Sequence, residues 1–170
     1  MIEPLVSAAF YVAGFVALFS TVMVVVNTHP VHALLYLVLS LLSIAMVFFT
    51  LGAPFAGVLE IIVYAGAILV LFVFVVMMLN LGKATVEQEK KWLKGSGWIG
   101  PVVLAGVLLA ELVLILWPQA GLTPISGKVV GAKEVGVAMF GPYLLAVELA
   151  STLLLAGLVA AYHLGRSQDS

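Results

Sequence analysis

Glu60 stands in an otherwise apolar run from Phe55 to Leu81, whose only other strongly polar side chain is Asn80 at the far end. At the centre of a bilayer a charged side chain costs at least ~2.5–3.5 kcal/mol on insertion scales, so an acid kept in such a run is a functional suspicion first. Tyr64 follows one helical turn later, and then Ala65-Gly66-Ala67, a stretch almost without side-chain bulk. A titratable acid, a phenol on the same face and a backbone free to bend are the parts of a proton-handling helix. The plainer readings are a structural acid satisfied by hydrogen bonds and a tyrosine bonded to a helix carbonyl.

Two further acids fall inside apolar runs, Glu111 and Glu148. At ~1.5 Å of rise per residue the acids lie roughly 5 to 12 Å to the outer side of their helix midpoints, a spacing that allows one layer. No Lys or Arg lies within any of the apolar runs. Each acid is therefore neutral, wetted by internal water or paired with a base from another chain. Ser151 and Thr152 follow Glu148 at i+3 and i+4 and extend a short polar stripe, either to hydrate the carboxyl or simply to pack helices. Glu111 has only aliphatic neighbours at i±3 and i±4, which makes it the weakest candidate of the three.

The elements that must position these groups are membrane helices. Of the 170 residues, 64% are hydrophobic and 9% charged, against about 25% charged in a soluble domain, and the mean hydropathy is +1.27. The chain reads as a single all-α membrane domain over residues 1–170, with spans at about 5–26, 31–51, 55–81, 98–117 and 142–164. Asn27-Thr28-His29-Pro30 stops the first helix, since proline lacks an N–H and biases His29 away from helical angles. Gly52-Ala53-Pro54 and Gly141-Pro142 act in the same way. Five spans are few for a self-contained transporter built from paired repeats, so the chain is expected to be a subunit of something larger. The third span exceeds the ~30 Å hydrocarbon core and must tilt, protrude or absorb an extra residue in a wide turn. Gly66, with its small neighbours, is the natural place for a π-bulge.

Alternating loops place Lys83, Lys90, Lys91, Lys94 and Arg166 on one side and Lys128 and Lys133 on the other. The positive-inside rule then puts the N-terminus in the periplasm and the C-terminus in the cytoplasm. Loop 82–97 is cytoplasmic on this reading and is either a solvated charged loop or a short interfacial helix around Trp92 and Leu93. Loop 118–141 is periplasmic, rich in Gly and Val, and compatible with a hairpin. Met1-Ile2-Glu3-Pro4 lacks the positive region of a signal peptide, so the first apolar segment is expected to stay in the mature chain.

The absence of cysteine removes thiolate-held iron–sulfur clusters, cysteine-bound zinc and disulfides from this chain. His29, His32 and His163 sit at the ends of spans rather than at mid-membrane, where a bis-histidine haem would need them. Metal and haem are not expected. The net charge of −1 gives no basic surface for nucleic acid.

Three stretches together carry a resemblance. They are Asn27 through Leu37, Leu59-Glu60-Ile61-Ile62-Val63-Tyr64-Ala65-Gly66-Ala67-Ile68 with its continuation to Asn80, and Phe140-Gly141-Pro142-Tyr143 through Glu148-Leu149-Ala150-Ser151. They closely resemble the J subunit of bacterial NADH–quinone oxidoreductase, respiratory complex I, over nearly the whole chain. Glu87-Gln88-Glu89 and Trp98-Ile99-Gly100-Pro101 fit the enterobacterial type. The resemblance implies a five-helix, non-redox subunit in the membrane arm of a proton-translocating complex of the bacterial inner membrane. Its partners would be other membrane-arm subunits and lipid. NADH, FMN, iron–sulfur clusters and a quinone would be used in other subunits. The resemblance further implies a π-bulge in the third helix around Tyr64 and Gly66, beside a gated water path that includes Glu60 and Tyr64, with Val70 beyond the bulge. Glu111 is not part of that pattern. Two other readings compete: a passive scaffold, and a subunit of a related cation/proton antiporter assembly.

Overall fold

The computed structural model describes residues 3–28, 30–79, 98–116 and 124–166. The charged loop expected at 82–97, together with His29, Asn80 and Trp117, lies outside the described residues. Those residues form helices α1 (Glu3–Val26), α2 (Pro30–Thr50), α3 (Pro54–Leu59), a π-helical segment (Glu60–Ile68), α4 (Leu69–Leu79), α5 (Ile99–Leu116), α6 (Ala132–Met139) and α7 (Leu144–Gly165). Two compact units result, Met1–Val129 and Val130–Ser170. Among the described residues, helices over Leu5–Val26, Pro30–Thr50, Pro54–Met78 and Leu144–Gly165 are long and apolar enough to cross a membrane, and Ile99–Ile115 is a shorter apolar helix. The all-α membrane architecture expected from the apolar runs is what the chain adopts, and the third span contains the anticipated π-helix.

In the first unit α2 is the shared partner. It packs against α1, against every part of the third span and against α5. The core that results holds Ala13 and Val16 of α1, Tyr36, Leu39 and Met46 of α2, and Leu108 of α5. Between α1 and α2 the fit comes from small side chains, Ala13, Ser20, Ser43 and Ala45 all being fully buried. Lipid is as apolar as leucine, so helices in it gain from close packing and interhelical hydrogen bonds rather than from burial alone. Thr21 Oγ1 donates to the Ala17 carbonyl at 2.8 Å, and Ser40 Oγ reaches across from α2 to stand 2.8 Å from Thr21 Oγ1.

The end of α2 shows why Gly52-Ala53-Pro54 breaks the chain. Gly52 adopts φ +84°, the left-handed conformation open to glycine. Its N–H donates to Phe49 O at 3.1 Å and the Ala53 N–H donates to Phe48 O at 2.9 Å, the paired bonds of a Schellman cap. Pro54 then opens α3 at a position where its missing N–H costs nothing. The two remaining carbonyls are served by the loop before α6. Ile125 N–H donates to Thr50 O at 3.0 Å and Ser126 Oγ donates to Leu51 O at 2.7 Å. A Cβ on Gly52 would collide with the Lys128 carbonyl and the Pro124 ring, so the loop lies directly on the cap.

Within the second unit the described part of loop 118–141 carries a helix, α6, in a stretch whose Gly and Val were also compatible with a hairpin. The Gly131 N–H donates to Glu134 Oε2 at 3.1 Å, so the acid three positions into the turn caps the helix start. The carbonyls of Gly136 and Ala138 then take the N–H groups of Phe140 and Tyr143, which turns the chain into α7.

Tyr36 and Gly100 set the seat of α5 on α2. A Cβ on Gly100 would run into the Tyr36 hydroxyl, so the ring lies across the glycine's backbone. Gly100→Ala should destabilise that seat by about 1–3 kcal/mol, the usual cost of overpacking, and lower the thermal stability of the assembled complex. Adding Tyr36→Phe removes the colliding oxygen and should restore most of the loss.

Candidate functional site

The third span is a continuous helix whose middle is wound more loosely than its ends. The Leu69 N–H points back to the carbonyl of Tyr64, five residues earlier, and also to that of Gly66. Such i→i+5 bonding widens the turn while keeping backbone groups satisfied, which lets a helix hold one residue more than a regular α path would. Glu60, Tyr64 and Gly66 all lie within it. The exposure pattern follows the wide pitch: Glu60–Ile61 and Ala65–Gly66 are partly covered, and Leu69 is 3% exposed. Leu69 forms the inner edge of this stripe, whereas Val70, the next residue, is 61% exposed.

Gly66 is what allows the wide turn to close. A Cβ placed there would stand 3.1 Å from the Ile61 carbonyl oxygen, tighter than ordinary contact. Any larger residue therefore pushes on the carbonyl of the wide turn itself. Glu60 is half-buried and Tyr64 is 52% exposed. Among the described residues neither side chain has a hydrogen-bond or ion-pair partner. Both are thus available to groups from water or another chain.

Glu111 differs from expectation most. It is 7% exposed, and neither carboxyl oxygen has a hydrogen-bond partner among the described residues; Ser20 Oγ is in the same position. The side chain lines a cavity of about 300 Å³ between the first part of α1 and the last part of α5, with Val6, Ala9 and Val12 on one wall and Val107, Ala110 and Ile115 on the other. Its own-helix neighbours gave no hint of this, because the burial comes from packing against other helices, α1 forming the opposite wall of the cavity. The π segment and α5 each pack on α2, and α1 rather than the third span supplies the facing wall at Glu111.

Glu148 is an exposed residue of the second unit. The Ser151 hydroxyl donates to the Glu148 backbone carbonyl at 2.8 Å and that of Thr152 to the Leu149 carbonyl at 2.8 Å. Their protons are used by the helix backbone. His32 is 8% exposed in the first turn of α2, at the end of its span, and His163 is exposed in the last turn of α7. No group of three His, Asp or Glu side chains placed to hold a metal occurs among the described residues.

Fold and site together define a small polytopic helical membrane protein whose third span is wound as a π-helix around an intramembrane acid. The sequence profile of NADH-ubiquinone/plastoquinone oxidoreductase chain 6 matches residues 20–164, and the chain belongs to that family. It is 65% identical over 162 residues to the NADH-quinone oxidoreductase subunit J of Pseudomonas aeruginosa, covering 95% of this chain and 97% of that one. To the subunit of the same name in Escherichia coli K12 it is 59% identical, over 94% of this chain and 86% of the relative. To that of Buchnera aphidicola from Schizaphis graminum it is 48% identical, over 94% and 97%. The chain is therefore a multi-pass membrane subunit of the NADH–quinone oxidoreductase complex, with other complex I subunits as partners.

A buried acid with neither oxygen bonded is a local cost rather than a support. Glu111→Met, which keeps the length of the side chain and removes the orphaned polar atoms, should leave assembly intact and stability unchanged or raised by about 1–3 kcal/mol. Thermal dissociation of the complex in detergent measures it.

Proposed function

We infer that this subunit helps couple quinone reduction elsewhere in the complex to proton translocation, through a water path beside the third span that the π segment gates. The observation that carries this reading is the π-helix from Glu60 to Ile68, which places an acid, a phenol and a glycine in the one described stretch that is not wound as a regular α-helix. At 3.6 residues per turn each residue advances a helix by ~100°, so loss of one extra residue from the wide turn rotates everything beyond it by about that angle. Ile68 would then take the slot against α2 that Leu69 now fills, and Val70 would turn with it. Glu60 and Tyr64 border the path and pass or orient protons when water connects them.

The chain carries no redox centre on this reading. NADH, FMN, iron–sulfur clusters and quinone act in other subunits. The N-terminus faces the periplasm and the C-terminus the cytoplasm of the inner membrane, with lipid around the faces that partner subunits leave open. Glu148, Ser151 and Thr152 are secondary candidates for the same path. The Glu148 carboxylate would meet water or a partner subunit there, since its neighbouring hydroxyls are turned to the backbone.

A coupling claim needs an element with two discrete states whose balance both sites bias. Gly66→Leu, by pressing on the Ile61 carbonyl, should fix the winding. In the assembled complex, proton pumping and quinone reductase activity are then expected to fall together. Normal coupled turnover with assembly intact would overturn the gate. Glu60→Gln should lower pumping in the assembled complex, while full pumping favours the scaffold role. Val70 is exposed on the described chain, and its replacement by a bulky residue serves as a milder probe of the rotation.

A further inference from the structure

The cavity between α1 and α5 is not used by any of this. Its walls are aliphatic and Glu111 is its one titratable lining residue. Other titratable groups on the packed elements lie off the cavity: Tyr11 of α1, next to the lining Val12, is 73% exposed and not in the lining, His32 and Tyr36 of α2 are near the start of that helix, and Tyr36 lies against Gly100, eleven positions before Glu111 in α5. No Lys or Arg occurs in the described spans.

An ionised Glu111 would be a buried charge with no cation or donor among the described residues, a state costing several kcal/mol. A neutral Glu111 solves the charge but brings an O–H donor that has no acceptor, since neither oxygen is bonded. Water is a poor remedy. A buried water needs two to four polar partners, and a cavity walled by hydrocarbon stays dry but takes up apolar molecules. What satisfies both the walls and the acid is an apolar guest with one accepting atom. At about 300 Å³ the cavity is at the small end of ligand sites, and it is partly open, so entry does not require either helix to unfold.

We propose that the α1–α5 cavity is a binding site for a small apolar molecule bearing a hydrogen-bond-accepting atom, held by the carboxylic acid of Glu111. The carboxyl oxygens are covered, so capture includes a turn of the side chain toward the space its own atoms already line. The site is independent of the winding of the third span.

Dicyclohexylcarbodiimide is a suitable probe, being small, apolar and an acceptor through nitrogen. The acid proton passes to one nitrogen and the carboxyl oxygen bonds the central carbon, giving an O-acylisourea. The acyl group then migrates from oxygen to nitrogen to leave a stable N-acylurea, an addition from which nothing departs. The assembled complex in membranes is treated at neutral pH and digested, and the adduct is located by mass spectrometry. Labelling of Glu111 is expected, saturating with reagent and slowed by the unreactive dicyclohexylurea. Ala110→Phe, which fills the cavity without touching the acid, should lower labelling at least tenfold, and a water-soluble carbodiimide should label poorly. Gly66→Leu should leave labelling unchanged, which separates this site from the gate. Absence of an adduct at Glu111 while other carboxyls react would overturn the proposal by showing an ionised, partner-paired acid. So would labelling that Ala110→Phe does not reduce, or equal reaction with the water-soluble reagent, which marks a hydrated acid.

Discussion

Inside hydrocarbon no backbone amide or carbonyl can be left to water, and this chain is arranged around that demand. The demand explains why the third span changes its winding instead of breaking. A wide turn with i→i+5 bonding absorbs surplus length while the Leu69 N–H still reaches the Tyr64 and Gly66 carbonyls, and Gly66 leaves room for it beside Ile61. It also explains the cap on α2, where the carbonyls of Phe48, Phe49, Thr50 and Leu51 are all taken by N–H or hydroxyl donors. Ser43, Thr50, Ser151 and Thr152 spend their own protons on nearby helix carbonyls for the same reason. Polar side chains in this membrane protein are made harmless by the backbone unless geometry keeps them from it.

Glu60, Tyr64 and Glu111 are among the exceptions, as is the buried Ser20 hydroxyl. Glu60 and Tyr64 lie on a helix whose inner stripe is narrow, so they are open to whatever lies beyond the chain. Glu111 is 7% exposed and borders a partly open apolar space between α1 and α5. Acids of one type thus occupy two environments. The first suits exchange with water and partner subunits, the second a neutral acid facing an apolar space.

Much of the architecture was legible because the bilayer restricts the menu. Apolar runs located the spans, and Gly52-Ala53-Pro54 announced a break whose Schellman geometry needs glycine and tolerates proline just after. The π-helix was readable from a run too long for the bilayer together with small residues at Gly66, and from the resemblance carried by the same stretch. Glu111 was underrated because its surroundings on its own helix are aliphatic, and nothing in a linear pattern says that residues near the other end of the chain will close over it. Helix α6 was hidden by the Gly and Val around it. Glu134 three positions after Gly131 was its one local signal, and that spacing is weak without an apolar run behind it. His32 stands at a span end, as its place after a helix break implies, and the packing that covers it there has no local signal.

The loop that closes the end of α2 belongs to a much later part of the chain. Ser126 reaches back 75 positions to Leu51, and Lys128 lies on Gly52. During synthesis, then, the second span precedes the protein donors for its last two carbonyls, which water can serve until residues 125 and 126 arrive. A domain is normally built outward from its N-terminal portion. Here an early helix takes its last two protein hydrogen bonds from a late segment, so the end of α2 is finished by sequence that lies beyond α5.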